Sequence, residues 1–270
     1  MPVTASDRYL SALTARGPES RLRAVSTQTA ALSTAASLVT TSTKNLPWRN
    51  DLDPRGLPNT DRFTASQRAI LEACVELFGD DGYAATSVRD IASVVGIKSA
   101  SLYKSFASKQ AMLDALSELG HAEFSEKQIN AVMSVGDDPR EQLSAAMKAL
   151  VVMTCQYPRL VRIVNGEVRN LSPTAFERDQ AARLQSARIL SDVLDRGRRS
   201  GAFTNPDDDA ITVVFWSLGV ALSAWFPFAY GVSAEEVAAS YVDISLRIVG
   251  AVDEPAEPEP LRRKGSRKRG

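Results

Sequence analysis

From about residue 62 onward, apolar residues recur every three or four positions, and the spacing predicts helix after helix. Ile70, Cys74, Leu77 and Phe78 fall at i, i+4, i+7 and i+8, and Gly79–Gly82 closes that first helix. Val88, Ile91, Ala92 and Val95 give a short second one, entered through Thr86 or Ser87 as N-cap. Gly96 breaks it, a third short helix runs from about Lys98 to Ser105, and Ser108 opens a long fourth carrying Leu113, Leu116, Gly120 and Phe124. Later starts carry stronger punctuation. Asp138-Pro139 followed by Glu141 joins an N-cap, a proline at the first helical position and a capping-box acid. Ser172-Pro173 and Asn205-Pro206 repeat the cap-then-proline signal, and Ser233 with Glu236 forms another capping box. Pro158 separates the fifth helix, with Leu143, Met147, Leu150, Val151 and Thr154, from a short sixth, and Gly201 stops the seventh. No β-alternation competes. The expected body, 62–251, is all-α with about nine helices.

The flanks read differently. Residues 1–61 are rich in Ser, Thr and Ala, with too little apolar surface to offset the entropy of ordering, so a mostly disordered arm is expected. Residues 252–270 are acidic and Pro-rich and then basic, with Arg262, Arg263, Lys264, Arg267, Lys268 and Arg269, which reads as a solvated tail.

Composition narrows the chemistry. A 44% hydrophobic share in 270 residues is enough for a real core, and 32 basic residues against 32 acidic ones leave no net charge. Any affinity for a polyanion must therefore come from a local patch. Cys74 and Cys155 sit among apolar neighbours and His121 is the only histidine, so no zinc ligand set and no Ser-His-Asp or Cys-His machinery is expected. The expectation is no enzyme activity, no catalytic residue, no metal, no cofactor and a reducing, cytoplasmic setting.

One segment demands a choice. Ala210 to Ala234 holds no charged residue, long enough to span a bilayer, and a helical membrane protein with a span near 210–234 is the rival reading. Acidic flanks at Asp207–Asp209 and Glu235-Glu236 do not orient a span, and Thr212, Ser217, Ser223 and Pro227 interrupt it. A helix apolar all round is one buried on all sides, here expected against a partner subunit through Phe215, Leu218, Leu222 and Trp225, with no membrane involved.

Short helix, turn at Gly96-Ile97, short helix is helix-turn-helix spacing, whose second helix lies in the DNA major groove. From Gly96 to Lys109 there are three lysines and no acid, a local field of the kind phosphate neutralisation needs. Ser99, Ser101 and Tyr103 add hydroxyl donors suited to phosphates and base edges. The run Ile70…Ala73…Leu77-Phe78…Gly82-Tyr83…Thr86-Ser87-Val88-Arg89-Asp90-Ile91-Ala92…Gly96-Ile97…Ser101-Leu102-Tyr103…Phe106…Ser108-Lys109…Leu113 resembles the DNA-binding domain of TetR/AcrR-family transcriptional regulators.

The resemblance implies an N-terminal three-helix helix-turn-helix domain (62–108) and a C-terminal helical ligand-binding and dimerisation bundle (109–251). It further implies a homodimer bound to a palindromic double-stranded DNA operator, probed by Thr86, Ser87, Lys98, Ser99, Ser101, Tyr103, Lys104 and Lys109. Lys98 stands where the family usually has a Ser/Thr cap, and Ala100 where Gly is common, so phosphate roles carry over more securely than base-reading ones. The C-terminal half also resembles the fatty-acid and sterol-catabolism subset, through Pro139 to Leu143, Leu171 to Pro173, Gly201 to Phe203, and Trp225 to Pro227 leading into Ser233 to Val237. That likeness implies release from DNA by a small apolar effector, lipid-like or an acyl-CoA, and repressor is the expected sign because a small dimer on a promoter mostly blocks polymerase. The expected pocket takes Met147, Val151, Met153, Thr154 and Tyr157 from the fifth helix, with Arg162 and Asn165 as polar anchors from the sixth.

Overall fold

The computed structural model describes residues 56–58, 61–205, 208–228 and 231–251. Among them are nine α-helices: α1 (Ala65–Asp80), α2 (Val88–Val95), α3 (Ser99–Ser105), α4 (Lys109–Met133), α5 (Pro139–Gln156), α6 (Pro158–Gly166), α7 (Pro173–Ser200), α8 (Asp208–Trp225) and α9 (Ala234–Ile248). Short 3-10 turns at Val168–Asn170 and Phe226–Phe228 complete the described elements. The expected all-α architecture is what the described residues adopt.

Local chemistry explains most boundaries. Thr64, Ser87 and Ser233 each close a reciprocal capping box with the residue three positions on, so two orphan amides are satisfied at once. Ser108 and Ser172 accept from Ala111 N and Ala175 N. Asp138 caps α5 differently from the expected box, accepting from Arg140 N at 2.9 Å. Gly96 and Gly201 end α2 and α7 in the left-handed region, at φ 76° and 78°, where a side chain would be strained. The Asn205-Pro206 signal falls partly outside the described residues; α8 is described from Asp208.

Two bodies of core share one joint. The first packs α1, α2, α3 and the start of α4 around Ile70, Leu71, Cys74, Ile91, Leu102 and Leu113, and continues into Leu160, Ile163 and Val164 of α6. The second packs α4, α5, α7 and α8 around Leu143, Met147, Leu150, Leu194 and Phe215. A smaller cluster, Val151, Cys155, Leu222, Phe226 and Val237, fastens α5 to α8 and α9. Cys74 and Cys155 are buried thiols that share no disulfide, as the pattern suggested, and burial pushes the Cys74 thiol far above its usual range.

One boundary shifts here. Leu57, assigned to the arm, is only 6% exposed, and Arg68 donates to the carbonyls of Pro58 and Leu57 at 2.9 and 3.1 Å. Folded chain therefore begins before residue 62; the rest of the arm and the 252–270 tail lie outside the described residues. Among the described residues no helix is long and apolar enough to cross a membrane. Within the uncharged stretch, residues 210–225 lie on α8 and 226–228 in the following 3-10 turn, and Ile211, Phe215 and Leu222 are already covered by α5 and its neighbours.

Candidate functional site: nucleic-acid interface and ligand cavity

The α2–turn–α3 unit is held from below and left open above. Ile91 and Leu102 are fully buried and Phe106 nearly so, which fixes α2 and α3 on the end of α1 and the start of α4. At the turn, Ile97 N reaches back to Ala92 O at 2.9 Å and Gly96 N to Ser93 O at 3.2 Å. The opposite face of α3 meets solvent: Lys98, Ser101, Tyr103 and Lys104 are exposed, Ser99 half-buried, and Tyr103 shows 51% of its surface.

Three other predicted contacts behave differently from one another. Ser87 is exposed, and its oxygen accepts from Asp90 N at 3.2 Å. Its own N–H donates to Asp90 Oδ2 at 2.8 Å, and the Ser87 hydroxyl together with this N–H holds the Asp90 carboxyl below its usual range. Thr86 is turned inward. It is 4% exposed, its hydroxyl donates to Gly82 O at 2.9 Å, and it secures the α1–α2 turn instead of facing out. Lys109 is a staple: Nζ donates to Tyr83 O at 2.7 Å and Thr86 O at 2.8 Å, and stands 4.1 Å from the Tyr83 ring centre.

The C-terminal bundle holds an apolar cavity of about 40 Å³ lined by α4, α5, α6 and α8, among them Gly120, Phe124, Leu150, Val161, Val164, Trp216 and Gly219. Of the residues predicted for a pocket, Met153, Thr154 and Asn165 line it, and Met147 lines a void of about 10 Å³ next to it. Asn165 is a wall and not a free anchor, because its Nδ2 donates to Val161 O and its Oδ1 accepts from Arg183. Val151 points to the other face of α5, into the cluster with Leu222. Tyr157 caps the α5–α6 junction and packs on both cores outside the cavity, and burial raises its phenol.

Arg162 is a clear correction. It does not line the cavity; it donates instead to Gly79 O at the end of α1, which makes it a joint residue and not a ligand anchor. Arg159, one turn earlier with its side chain 5% exposed, grips Asp80 through Nε at 2.9 Å and Nη2 at 2.6 Å. Two cations thus meet the C-terminal end of α1, where the helix dipole is negative. Gly79 allows this closeness, since a Cβ there would come within 2.9 Å of Arg159 Cγ.

A polar cleft of about 530 Å³ runs between α4 and α7 past His121. His121 Nε2 is 2.6 Å from Asp179 Oδ1, and Arg183 closes on Asp179 Oδ2 at 2.8 Å. Burial alone would raise the Asp179 carboxyl, but the His121 hydrogen bond and the Arg183 charge outweigh it and hold it low. Among the described residues no cluster of His, Cys, Asp and Glu is arranged to hold a metal ion.

The comparisons with known proteins agree with this geometry. A model described as bacterial regulatory proteins, tetR family, matches residues 70–116, and one described as tetracyclin repressor-like, C-terminal domain, matches 136–249. The solved TetR-family transcriptional regulator PfmR from Thermus thermophilus is 31% identical, covering 66% of this chain and 97% of its own, with a TM-score of 0.61. This chain belongs to the TetR family.

Its relatives in the family include the HTH-type transcriptional repressor KstR2 of Mycolicibacterium smegmatis, 28% identical over 70% of this chain and 93% of that protein. The solved ketosteroid transcriptional regulator KstR2 of Mycobacterium tuberculosis is 27% identical over 72% of this chain and 98% of its own, with a TM-score of 0.66. The protein is thus a DNA-binding transcriptional regulator and not an enzyme.

As a TetR-family protein it also shows where sequence reasoning fell short. Phe215 and Leu222, expected at a subunit interface, have no accessible surface and belong to the chain's own core; Leu218 and Trp225 are half-buried. Among the described residues, the large apolar side chains left uncovered on α8 and α9 are Val213, Val214 and Ile244, at 39%, 41% and 42% exposure. Arg159, Asp80, Gly219 and Gln128 carried no signal in the sequence. Only the tight helix crossings, invisible in a linear pattern, mark them.

Proposed function

We propose that this TetR-family regulator is a repressor that binds a two-fold symmetric operator as a homodimer and is released by a small apolar effector. Residues 62–108 form the reading unit and 109–251 the ligand-binding and dimerising unit. The observation that carries the reading is the face of α3: Lys98, Ser101, Tyr103 and Lys104 stand in water while Leu102 and Phe106 of the same segment are buried. That division gives a rigid rod with donors and charge along one side, the arrangement that a major groove accepts. Ser87 and Ser99 add phosphate contacts at its edge. Thr86 and Lys109 support it from behind, Lys109 adding its field at short range.

Two such rods must sit about one DNA turn apart, which calls for a second copy. The uncovered side chains of Val213 and Val214 on α8 and of Ile244 on α9 support pairing through these two helices. Small apolar molecules enter the cavity between α4, α5, α6 and α8, whose present volume is far below the roughly 300–1,000 Å³ of a ligand site, so entry must part its walls. Leu160, Val161 and Val164 line the cavity from α6, and Arg159 and Arg162 of the same helix hold α1. Any shift of α6 therefore reaches the reading unit, and an effector that favours the parted state weakens operator binding by its differential affinity. Repression is the natural sign, since a dimer seated on a promoter blocks access, and KstR2 of M. smegmatis carries that description. Such a protein works in the cytoplasm, where its DNA is.

A gel shift on the chain's own promoter region tests the reading, repeated with Lys104→Ala and Tyr103→Phe. Weaker binding with unchanged helicity supports it. Unchanged affinity in both variants removes α3 from the contact surface.

A further inference from the structure

Two polar atoms in the C-terminal bundle are buried without a hydrogen-bond partner among the described residues: Gln128 Oε1 and Thr154 Oγ1. Both residues are more than nine-tenths buried, at 4% and 1% exposure. Neither is scattered at random. Thr154 lines the 40 Å³ cavity and Gln128 lines the 10 Å³ void, and the two spaces share the same three walls, Phe124, Leu150 and Trp216. Buried acceptors and hydroxyls are nearly always paired, so an unpaired one in each of two adjoining voids asks for an explanation.

The helices give the separation. On α4 the series Gly120, Phe124, Gln128 runs from the Thr154 end to the far end, and on α5 Thr154, Leu150, Met147 runs the same distance back. Seven to eight residues of helix separate the ends, or about 10–12 Å at 1.5 Å per residue. Between them the Phe124 and Trp216 rings stand 5.0 Å apart at 58°, and Leu150 seats against Gly219, where a Cβ would come within 2.8 Å. At the Thr154 end Gly120 lets Val164 of α6 approach equally closely. The partition is thus made of side chains that can turn, and not of backbone.

Resting on the reading of this space as the effector site, we infer that the two voids are the ends of one binding channel for an elongate apolar molecule with a polar group at each end. The end facing Gln128 must carry a hydrogen-bond donor, such as a hydroxyl. Gln128 Nε2 donates to Ser186 O at 3.5 Å, which leaves Oε1, an acceptor with no partner among the described residues, as the polar atom Gln128 can offer the void it lines. The end facing Thr154 takes either a donor or an acceptor, because a hydroxyl serves both. The aromatic pair and Leu150 accept the apolar middle, flat rings best.

Isothermal titration of the full chain with two rigid probes tests this. Biphenyl-4,4′-diol has its hydroxyls at about the required separation, and 4,4′-difluorobiphenyl has nearly the same shape with no donor. The diol should bind wild type about ten- to a hundredfold more tightly, the worth of pairing a buried acceptor. In Gln128→Leu that preference should shrink to within about threefold, with Thr154→Val losing a smaller part. Leu150→Trp, which fills the partition, should abolish binding of both probes. Thermal melts confirm that each variant folds, and Gln128→Met replaces Gln128→Leu if that one does not. Equal affinity of the two probes in wild type, or an undiminished preference in Gln128→Leu, overturns the assigned anchors while leaving the cavity as the effector site. Failure of both probes to bind wild type, or binding that survives Leu150→Trp, overturns the channel and the effector site together.

Discussion

Replacing Lys109 by Met separates a structural staple from a DNA contact. The substitution keeps most of the aliphatic stem and deletes the ammonium that donates to Tyr83 O and Thr86 O and sits over the Tyr83 ring. A hydrogen bond from a charged group is worth about 1.5–3 kcal/mol and a cation–π contact about 0.5–1 kcal/mol at an exposed site. Lys109 is half-buried, so solvent screening argues for the low end, and the sum comes to about 2–4 kcal/mol. Against a typical total of about 5–15 kcal/mol this is a large loss. Urea unfolding followed by far-UV circular dichroism should show the midpoint falling, with hydrogen exchange speeding first at 83–95, the turn and α2. Operator binding would fall with it, because α2 no longer buttresses α3. Stability within about 0.5 kcal/mol of wild type together with lost DNA affinity would refute the staple and make Lys109 a direct phosphate contact.

Three further outcomes follow from the same geometry. Asp80→Asn leaves the nearly buried Arg159 guanidinium without its carboxylate; with Asp80 itself half-exposed, the cost should be about 1–2 kcal/mol in urea unfolding. Exchange at the last turn of α1 and the first turn of α6 should then accelerate together, and acceleration in one alone would deny the joint. Asp179 is held below its ordinary range, so its contribution to stability is present above an unfolded value near about pH 3.9 and is lost as pH falls through the lower folded value. Asp179→Asn should flatten that acid limb and destabilise the chain at neutral pH; an unchanged acid limb would contradict the assignment. Val214→Glu and Ile244→Glu should shift sedimentation equilibrium toward monomer without loss of helicity, whereas Phe215→Ala should unfold more easily by about 3–5 kcal/mol, because its ring is core. A dimer undisturbed by both charged variants would place the interface elsewhere.

The helices were legible because their ends are chemically marked. Thr64, Ser87, Ser108, Ser172 and Ser233 cap with their own side chains, and Gly96 and Gly201 stop where only glycine is unstrained. The reading face of α3 was legible for a related reason: a seven-residue helix with one fully buried residue leaves most of the others to solvent. Which side of a longer apolar helix faces inward was not. Phe215 and Leu222 form a stripe suited equally to a partner or to the chain's own α5, and only the three-dimensional crossing decides in favour of α5. Arg162 has the same ambiguity. A lone arginine beside a pocket helix reads as an anion anchor, yet its position, one turn after Arg159, aims it at the carboxyl end of α1. Gln128 gave no signal in the linear pattern because its significance is an empty acceptor beside a void, a property of packing alone.

Hydroxyl-radical footprinting of the full chain on its own promoter, at low ionic strength, tests the central claim most directly. Two α3 rods presented by a pair of chains should protect two symmetric patches on one face of the duplex, centred about one helical turn, roughly 34 Å, apart. Lys104→Ala should fade both patches equally. A single patch, or no protection at all by the folded wild-type chain, would contradict the account.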